Sequence, residues 1–293
     1  MASSVNNQVC VQGKVLIVAG SDSGGGAGIQ ADIKAVSALG GFAMTAVTAI
    51  TAQNTVGVQA VHPLPVEILV AQLDAVLDDL GADVVKTGML HDAAVIDALV
   101  TVLDRHGWSG PLVVDPVMIA QSGDRLLAES ALAAMRERLL PRADLLTPNL
   151  PEAEALLDCG RIETLEAMLD AAQALHALTD GGAVLVKGGH LDRDDLVDVL
   201  HDGQQAHVFH HRRIPTVHSH GTGCTLASAI ATGLGQGLEL AVAVARGRAF
   251  LLEALRTAPG LGRGQGPVNH AHTLHPGLIR YPEFGLLDQH GDP

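Results

Sequence analysis

The chain has 293 residues, of which 47% are hydrophobic and only 2% aromatic, so its core must consist mainly of aliphatic side chains. Its formal net charge of −14 at pH 7, without any basic run, makes nucleic acids and anionic membrane surfaces poor partners. The three cysteines lie far apart, which argues against a disulfide framework or a zinc site. The polar first residues and the lack of an apolar stretch of about 18 residues predict a cytoplasmic protein without a membrane span.

Apolar runs alternate with amphipathic segments along most of the chain. The runs predict strands at residues 14–20, 44–51, 82–89, 111–118, 143–147 and 183–190. The amphipathic segments predict helices at residues 29–36, 65–80, 92–106, 130–140, 163–178 and 239–255. Residues 196–200 and 206–214 predict an antiparallel hairpin whose turn contains Asp202 and Gly203.

This alternation predicts an α/β fold with a mainly parallel central sheet that helices cover on both faces. No repeat and no linker rich in glycine or proline divides the chain, so we predict one domain at residues 14–258. Residues 1–13 are predicted to form a flexible N-terminal tail. Residues 259–293 are predicted to form an irregular C-terminal tail.

A glycine-rich turn at residues 21–28 follows the first predicted strand and leads into a helix, the layout of a phosphate-binding loop. The dinucleotide pattern is not met, because Ile29 stands where its last glycine would fall, and no Gly-Lys-Ser/Thr triplet completes a P-loop. The alternative is a tight turn that requires glycine for its backbone conformation.

A second glycine loop, at residues 220–225, precedes an apolar helix. Gly221, Thr222 and Gly223 place backbone N–H groups at a helix N-terminus, which together form an anion site. Cys224 lies in the first helical turn, where we expect a lowered thiol pKa. The loop therefore indicates acyl or phosphoryl transfer, and the alternative is a helix start with a buried, inert cysteine.

Ligands of parallel α/β sheets bind at the carboxyl ends of the strands, and polar side chains follow several predicted strands here. Asp115, Asn149 and Glu152 supply oxygen atoms suited to Mg²⁺, directly or through water, and Lys187 supplies a positive charge for a phosphate. Cys224 would take a proton from an attacking hydroxyl. Each residue alone is more often a cap or turn residue, but their joint occurrence at several strand ends matches phosphoryl transfer.

Ordered motifs along the chain resemble those of the hydroxymethylpyrimidine/phosphomethylpyrimidine kinases of thiamine biosynthesis. The similar segments are residues 19–32, 51–55, 86–90, 115–118, 147–152, 187–190, 220–225 and 266–270. The resemblance implies a three-layer α/β/α ribokinase-like fold and two ATP-dependent steps, which phosphorylate the hydroxymethylpyrimidine and then its monophosphate. It also implies Mg²⁺ as cofactor and a homodimer.

The resemblance also assigns roles to residues of this chain. It places Gly20, Asp22, Ala27, Gln53, Met89 and Val117 around the pyrimidine, Asn149 and Glu152 at magnesium and phosphate, and Cys224 at the position of the base beside the anion hole formed by residues 221–223. The Gln53 amide offers adjacent acceptor and donor groups, which match the amino group and ring nitrogen of an aminopyrimidine. Cys224 alternatively positions the hydroxyl rather than deprotonating it.

Two other functions are weighed against this one. A pyridoxal or pyridoxine kinase acts on a similar hydroxymethyl heteroaromatic compound, and a non-catalytic protein could bind the pyrimidine phosphate. Intact magnesium and base positions argue against a pure binding protein. The histidines between residues 207 and 220 are interpreted as packed or solvated side chains rather than metal ligands.

Overall fold

The computed structural model describes residues 12–118, 128, 131–191 and 193–274. Residues 1–11 of the predicted N-terminal tail and residues 275–293 of the predicted C-terminal tail lie outside this part of the chain. The sequence also predicts a loop at residues 119–124, which lies outside it as well. Across the described residues, one sheet contains nine strands in the order β3-β2-β1-β4-β5-β6-β7-β8-β9. Their bounds are β1 Lys14–Asp22, β2 Phe42–Asn54, β3 Gly57–Pro63, β4 Val84–Thr87, β5 Leu112–Val114, β6 Leu145–Leu146, β7 Ala183–Lys187, β8 Asp195–His201 and β9 Ala206–Arg212.

The sheet is parallel from β2 to β7, and its outer strands β3, β8 and β9 pair antiparallel. The described helices are α1 Gly28–Ala38, α2 Val66–Asp79, α3 Ala93–Arg105, α4 Ala131–Ala134, α5 Leu150–Leu157, α6 Leu165–His176, α7 Thr222–Gly235 and α8 Leu240–Arg256. None of them is both long and apolar enough to cross a membrane.

Strand β1 shows why the domain has three layers. Its apolar side chains are fully buried, and they alternate between the two faces of the sheet because successive strand residues point in opposite directions. Leu16 and Val18 pack with the side chains of α2, α3, α5 and α6, whereas Val15 and Ile17 pack with those of α7 and α8. The predicted fold, a mainly parallel sheet between two helical layers, is therefore confirmed.

Several local predictions differ from the structure; the strands predicted at residues 111–118 and 143–147, for example, are only Leu112–Val114 and Leu145–Leu146. Strand β3 was not predicted, because its residues are mostly half-exposed or exposed and lack the apolar run that marks the central strands. The helix predicted at residues 130–140 is a short α4 that continues as a π-helix, Met135–Leu139, and a 3-10 turn, Leu140–Arg142. Strands β4 and β7 end earlier than predicted, since the residues after Thr87 and Lys187 leave the sheet and line the cavity described below.

The segment from residue 264 to residue 274, which was assigned to the irregular tail, packs on the domain. Pro267 forms a β-bridge with His220, and His270 Nε2 lies 2.8 Å from Thr225 Oγ1 in a buried contact. Burial lowers the pKa of His270 to about 4, with the nearby Lys34 adding to the effect. This segment therefore supports the start of α7.

Candidate active site

A cavity of about 590 Å³ opens at the carboxyl ends of the parallel strands. It is lined by every residue that the sequence analysis proposed for the site: Gly20, Asp22, Ala27, Gln53, Met89, Asp115, Val117, Asn149, Glu152, Lys187, Gly221, Thr222, Gly223 and Cys224. These residues lie in or after six strands of the sheet and at the start of α7, and they meet only through the topology. Their individual roles stay predictions.

Asp22 organises the glycine turn after β1. Its carboxylate accepts backbone hydrogen bonds from Gly24 at 2.8 Å, Gly26 at 3.0 Å and Ala27 at 2.8 Å. Burial opposes ionisation of Asp22, but hydrogen bonds from His220 and from these amides outweigh it and lower its pKa. Asp22 is thus an anion whose lone pairs are largely occupied by hydrogen bonds from the protein. Its role is therefore to fix the conformation of the glycine turn that forms part of the cavity wall.

His220 lies at the centre of this wall, although the sequence analysis gave it no role. Its Nε2 atom lies 2.8 Å from Asp22 Oδ2 and 3.4 Å from Gln53 Nε2. No sequence signal brings residues 22, 53 and 220 together, because they are far apart in the chain and the contact depends on the sheet order. The one sequence feature that indicates a role for His220 is its position directly before residues 221–223, which we call the anion loop.

Met89 and Val117 supply an apolar wall to the same cavity that Gln53 lines. Gly20 faces this wall, and a Cβ atom at Gly20 would overlap the Met89 methyl group. The absence of a side chain at residue 20 therefore lets the Met89 methyl group pack directly against the backbone of β1.

The anion loop is locked to the glycine turn. Gly221 is the N-cap of α7 with φ of 81°, a left-handed conformation that glycine adopts without strain. A Cβ atom there would overlap the carbonyl oxygen of Gly26. The first N–H groups of a helix have no intrahelical acceptor, so this end of α7 can hold an anion such as a phosphate.

The prediction of a lowered Cys224 pKa is wrong for the ligand-free pocket. The thiol is half-buried on the cavity wall, and burial raises its pKa to about 12 despite the opposing charge of Lys86. The carboxylates of Asp32 and Asp115 raise it further. Desolvation and two nearby anions therefore outweigh the effect of the helix N-terminus on this thiol.

An ion pair lies beside the anion loop. Lys187 Nζ is 3.0 Å from Asp115 Oδ1, which is also 3.2 Å from Thr147 Oγ1. Burial opposes the charge on Lys187, but Asp115 and Glu152 outweigh it and raise the pKa of Lys187. Gly223 adjoins this pair, since a Cβ there would lie 3.4 Å from Lys187 Nζ. The lysine charge therefore faces the place where the helix N-terminus would hold a phosphate.

Asn149 and Glu152 have a structural role as well as the predicted one. They form the capping box of α5: Glu152 N–H donates to Asn149 Oδ1 at 2.9 Å, and Asn149 N–H donates to Glu152 Oε2 at 2.8 Å. Burial raises the pKa of Glu152 to about 7, with Lys187 opposing and Asp115 adding to the rise.

The carboxylates of Asp115 and Glu152 are the oxygen ligands that this site offers to Mg²⁺. Within the described residues, no group of three or more His, Cys, Asp or Glu side chains forms a complete metal cage. Asp115 Oδ2, however, is buried without a hydrogen-bond partner in that part of the chain. An unpartnered carboxylate oxygen next to a second carboxylate fits Mg²⁺, which in proteins commonly keeps waters and binds substrate phosphate.

Solved structures similar to this one share both the sheet and its helical layers. A *Bacillus subtilis* pyridoxal kinase in complex with ADP matches with a TM-score of 0.82 and 35% identity, over 89% of this chain and 98% of that one. A phosphomethylpyrimidine kinase from *Clostridium difficile* 630 matches with a TM-score of 0.73 and 40% identity, over 83% of this chain and 99% of that one. The fold and the site define a small-molecule kinase of the ribokinase-like class.

Sequence comparison is more specific. The family model described as phosphomethylpyrimidine kinase matches residues 22–269, and the chain belongs to that family. A hydroxymethylpyrimidine/phosphomethylpyrimidine kinase from *Mycobacterium tuberculosis* is 48% identical over 257 residues, which cover 87% of this chain and 93% of the relative. A thiamine biosynthesis bifunctional protein from *Geobacter sulfurreducens* is 51% identical over 88% of this chain, which spans only 52% of that relative. The resemblance seen in the sequence motifs is confirmed.

Proposed function

We propose that this kinase transfers phosphate from ATP to 4-amino-5-hydroxymethyl-2-methylpyrimidine and then to the resulting monophosphate. The observation that carries the proposal is the layout of the cavity at the carboxyl ends of the strands. The Gln53 amide, which matches an aminopyrimidine, lines the same cavity as the anion loop and the Lys187–Asp115 pair. The names of the matching relatives and the ADP complex of the *B. subtilis* kinase support the substrate class and the donor.

The chain's own groups would act mainly by positioning and charge neutralisation, which is what phosphoryl transfer requires. Gln53 would bind the edge of the pyrimidine, and the apolar wall at Met89 and Val117 would hold its face. The N–H groups at residues 221–223 and the Lys187 ammonium would neutralise the charge of the transferring phosphoryl group. Asp115 and Glu152 would hold Mg²⁺, which when bound neutralises charge on the phosphate oxygens.

Cys224 is better suited to position the substrate hydroxyl than to deprotonate it before phosphoryl transfer. With a pKa of about 12 the thiol is protonated at neutral pH, so it can exchange hydrogen bonds with the hydroxyl without taking its proton. In a loose transition state the attacking oxygen keeps its proton until late, because little bonding to phosphorus has yet developed. The alternative of general-base catalysis needs the bound ligands to lower this pKa.

We also propose a homodimer. The edge hairpin of β2 and β3 exposes the large apolar side chains Phe42, Ile50 and Val56, which a second copy of the chain would cover. Light scattering on the wild type and on an Ile50→Asp variant tests this, and a concentration-independent monomer in both would overturn it. The use of ATP supports the predicted cytoplasmic location.

The reaction is tested by incubating the protein with Mg-ATP and, in separate reactions, the hydroxymethylpyrimidine, its monophosphate or pyridoxal, and by following products by mass. Formation of both the mono- and the diphosphate is the expected result. Phosphorylation of pyridoxal alone would reassign the protein to the vitamin B6 kinases. Binding of the pyrimidine without turnover would identify a non-catalytic binding protein.

A further inference from the structure

Four hydrogen-bonding side chains form a row along the cavity wall, in the order Asp22, His220, Gln53 and Thr51. The Gln53 Nε2 position lies 3.4 Å from His220 Nε2, and the Oε1 position lies 3.2 Å from Thr51 Oγ1. The two ends of an amide have nearly the same shape, so their hydrogen-bond partners determine which end is oxygen. Here the partners are His220 and Thr51, and their other hydrogen bonds determine whether each donates to or accepts from the amide.

The Asp22 end of the row fixes the proton on His220. Asp22 is a carboxylate that only accepts hydrogen bonds, and its Oδ2 lies 2.8 Å from His220 Nε2. His220 Nε2 must therefore carry a proton, whether the ring is neutral or charged. A protonated nitrogen cannot accept, so a Gln53 NH₂ group at 3.4 Å would place two donors face to face.

The Thr51 end leads to the same result independently. Thr51 Oγ1 has one proton, and the Ser21 carbonyl oxygen lies 3.0 Å away to accept it. With that proton donated to Ser21, the nearer of the two oxygens, the lone pairs of Oγ1 can only accept, so the amide atom 3.2 Å away is a donor. Each end thus calls for the amide oxygen toward His220 and the amide nitrogen toward Thr51.

His220 is itself held in place. Its backbone N–H donates to the Gly266 carbonyl oxygen at 3.1 Å, and its ring packs so closely on Gly26 that a Cβ atom there would clash with it. A flip of the ring would replace the hydrogen bond to Asp22 with a C–H contact, so Nε2 stays on the Asp22 side.

We propose that His220 and Thr51 are positioning residues that fix the orientation of the Gln53 amide and thereby select a 4-aminopyrimidine over a 4-oxopyrimidine. This inference rests on the proposed role of Gln53 in binding the pyrimidine. The amide oxygen accepts from the exocyclic amino group on the His220 side, and the free N–H donates to the adjacent ring nitrogen on the Thr51 side. A 4-oxopyrimidine presents a carbonyl and a ring N–H in the reverse order, so it needs the turned amide and loses the contacts at both ends.

The test compares dissociation constants of the 4-amino and 4-oxo forms of the hydroxymethylpyrimidine, measured by calorimetry without nucleotide. Thr51→Val and His220→Leu remove one contact each, and we expect each to reduce the amino-over-oxo preference by about tenfold. Thr51→Ser keeps the hydroxyl and His220→Gln keeps a donor near the Nε2 position, so these matched controls should retain the preference. An unchanged preference in both the Val and the Leu variants would overturn the proposal.

A measurement on the wild-type protein does not depend on the folding of any variant. Nitrogen NMR of the histidine rings should show His220 with a proton on Nε2, and a ring protonated only on Nδ1 would refute the proposed row. Gln53→Ala separates the two levels of the argument. Unchanged pyrimidine binding in this variant would remove Gln53 from the pocket, and with it both its proposed binding role and the positioning proposal, but not the kinase activity. Weaker binding together with unchanged selectivity in the Thr51 and His220 variants would refute the positioning role alone.

Discussion

Lys86 Nζ lies 2.8 Å from Asp32 Oδ1 beneath the active-site cavity, and neither side chain has any exposed surface. Ser228 Oγ donates to the same oxygen at 2.6 Å. Two charges at full burial are maintained only by each other and by such hydrogen bonds, because neither can be solvated by water. The pair joins β4 to α1, and Ser228 adds α7, so three elements around the site depend on it.

Removing one partner of this pair should therefore destabilise the fold strongly. We expect Lys86→Met to lower the free energy of unfolding by about 3–5 kcal/mol, because it leaves Asp32 as an uncompensated buried anion. Chemical denaturation measures the loss. The double variant with Asp32→Asn should recover much of it, and a single variant within about 1 kcal/mol of the wild type would show that water reaches the site.

Cys224 should react slowly with alkylating agents in the ligand-free protein, since the thiolate is the reactive form and burial raises this pKa to about 12. The exposed Cys159 provides an internal control within the same chain. Site-resolved mass spectrometry with iodoacetamide at neutral pH should show Cys159 modified well before Cys224. Faster labelling of Cys224 would indicate a thiolate and restore the base role.

The two possible roles of Cys224 can be separated kinetically. We expect Cys224→Ala to lower kcat by about 10²-fold with nucleotide affinity largely retained, because the hydroxyl loses its partner. Cys224→Ser keeps a hydrogen-bonding atom, so it should retain more activity than the alanine variant if positioning is the main role. Equal losses in both variants would argue for a thiolate base.

The pH dependence of nucleotide binding should report on Glu152, whose pKa burial raises to about 7. Mg²⁺ bound to the ATP phosphates is held by the ionised form of the Glu152 carboxylate. The affinity for Mg-ATP should therefore increase between about pH 6 and about pH 8, as Glu152 loses its proton. Calorimetry in buffers of different ionisation enthalpy should show proton release on binding. Glu152→Gln should bind more weakly and with a flatter pH profile, and an unchanged profile would exclude Glu152 from the titration.

Gly221→Ala should disrupt the junction between the glycine turn and the anion loop, because the added Cβ meets the Gly26 carbonyl oxygen at a left-handed backbone. Gly237→Ala is the matched control: its φ is 80°, but no atom lies within 4 Å of the added Cβ. Both variants carry the backbone strain of about 1 kcal/mol, and only Gly221→Ala should also lose most of its kcat. Equal activity of the two variants would show that the backbone at residues 26 and 221 can move apart without loss of function.

Much of this site was predictable because the relevant rules are local or topological. A buried apolar run such as β1 specifies a central strand, and polar residues at the ends of parallel strands must converge at one edge. That reasoning places Asp115, Asn149 and Lys187 together without knowledge of any contact.

What the sequence could not supply depends on three-dimensional surroundings. The Cys224 pKa depends on how far the thiol is desolvated and on charges at residues 32, 86 and 115, and no pattern in the chain gives those distances. His220 faces Asp22 only because α7 begins beside the glycine turn, a relation between segments 198 residues apart. Strand β3 escaped prediction because a half-exposed edge strand leaves a weak hydrophobic signal.

The junction of the two glycine loops also has a consequence for how the protein is made. The sheet from β1 to β7 is complete by residue 187, but the cavity wall needs the loop at residues 220–223 and its support from residues 264–274. These residues are synthesised after every strand of the parallel sheet, and contacts between segments so far apart in the chain form slowly. During synthesis the nascent protein therefore acquires its scaffold first and becomes able to bind its substrate only when nearly all of the family's matched length has left the ribosome.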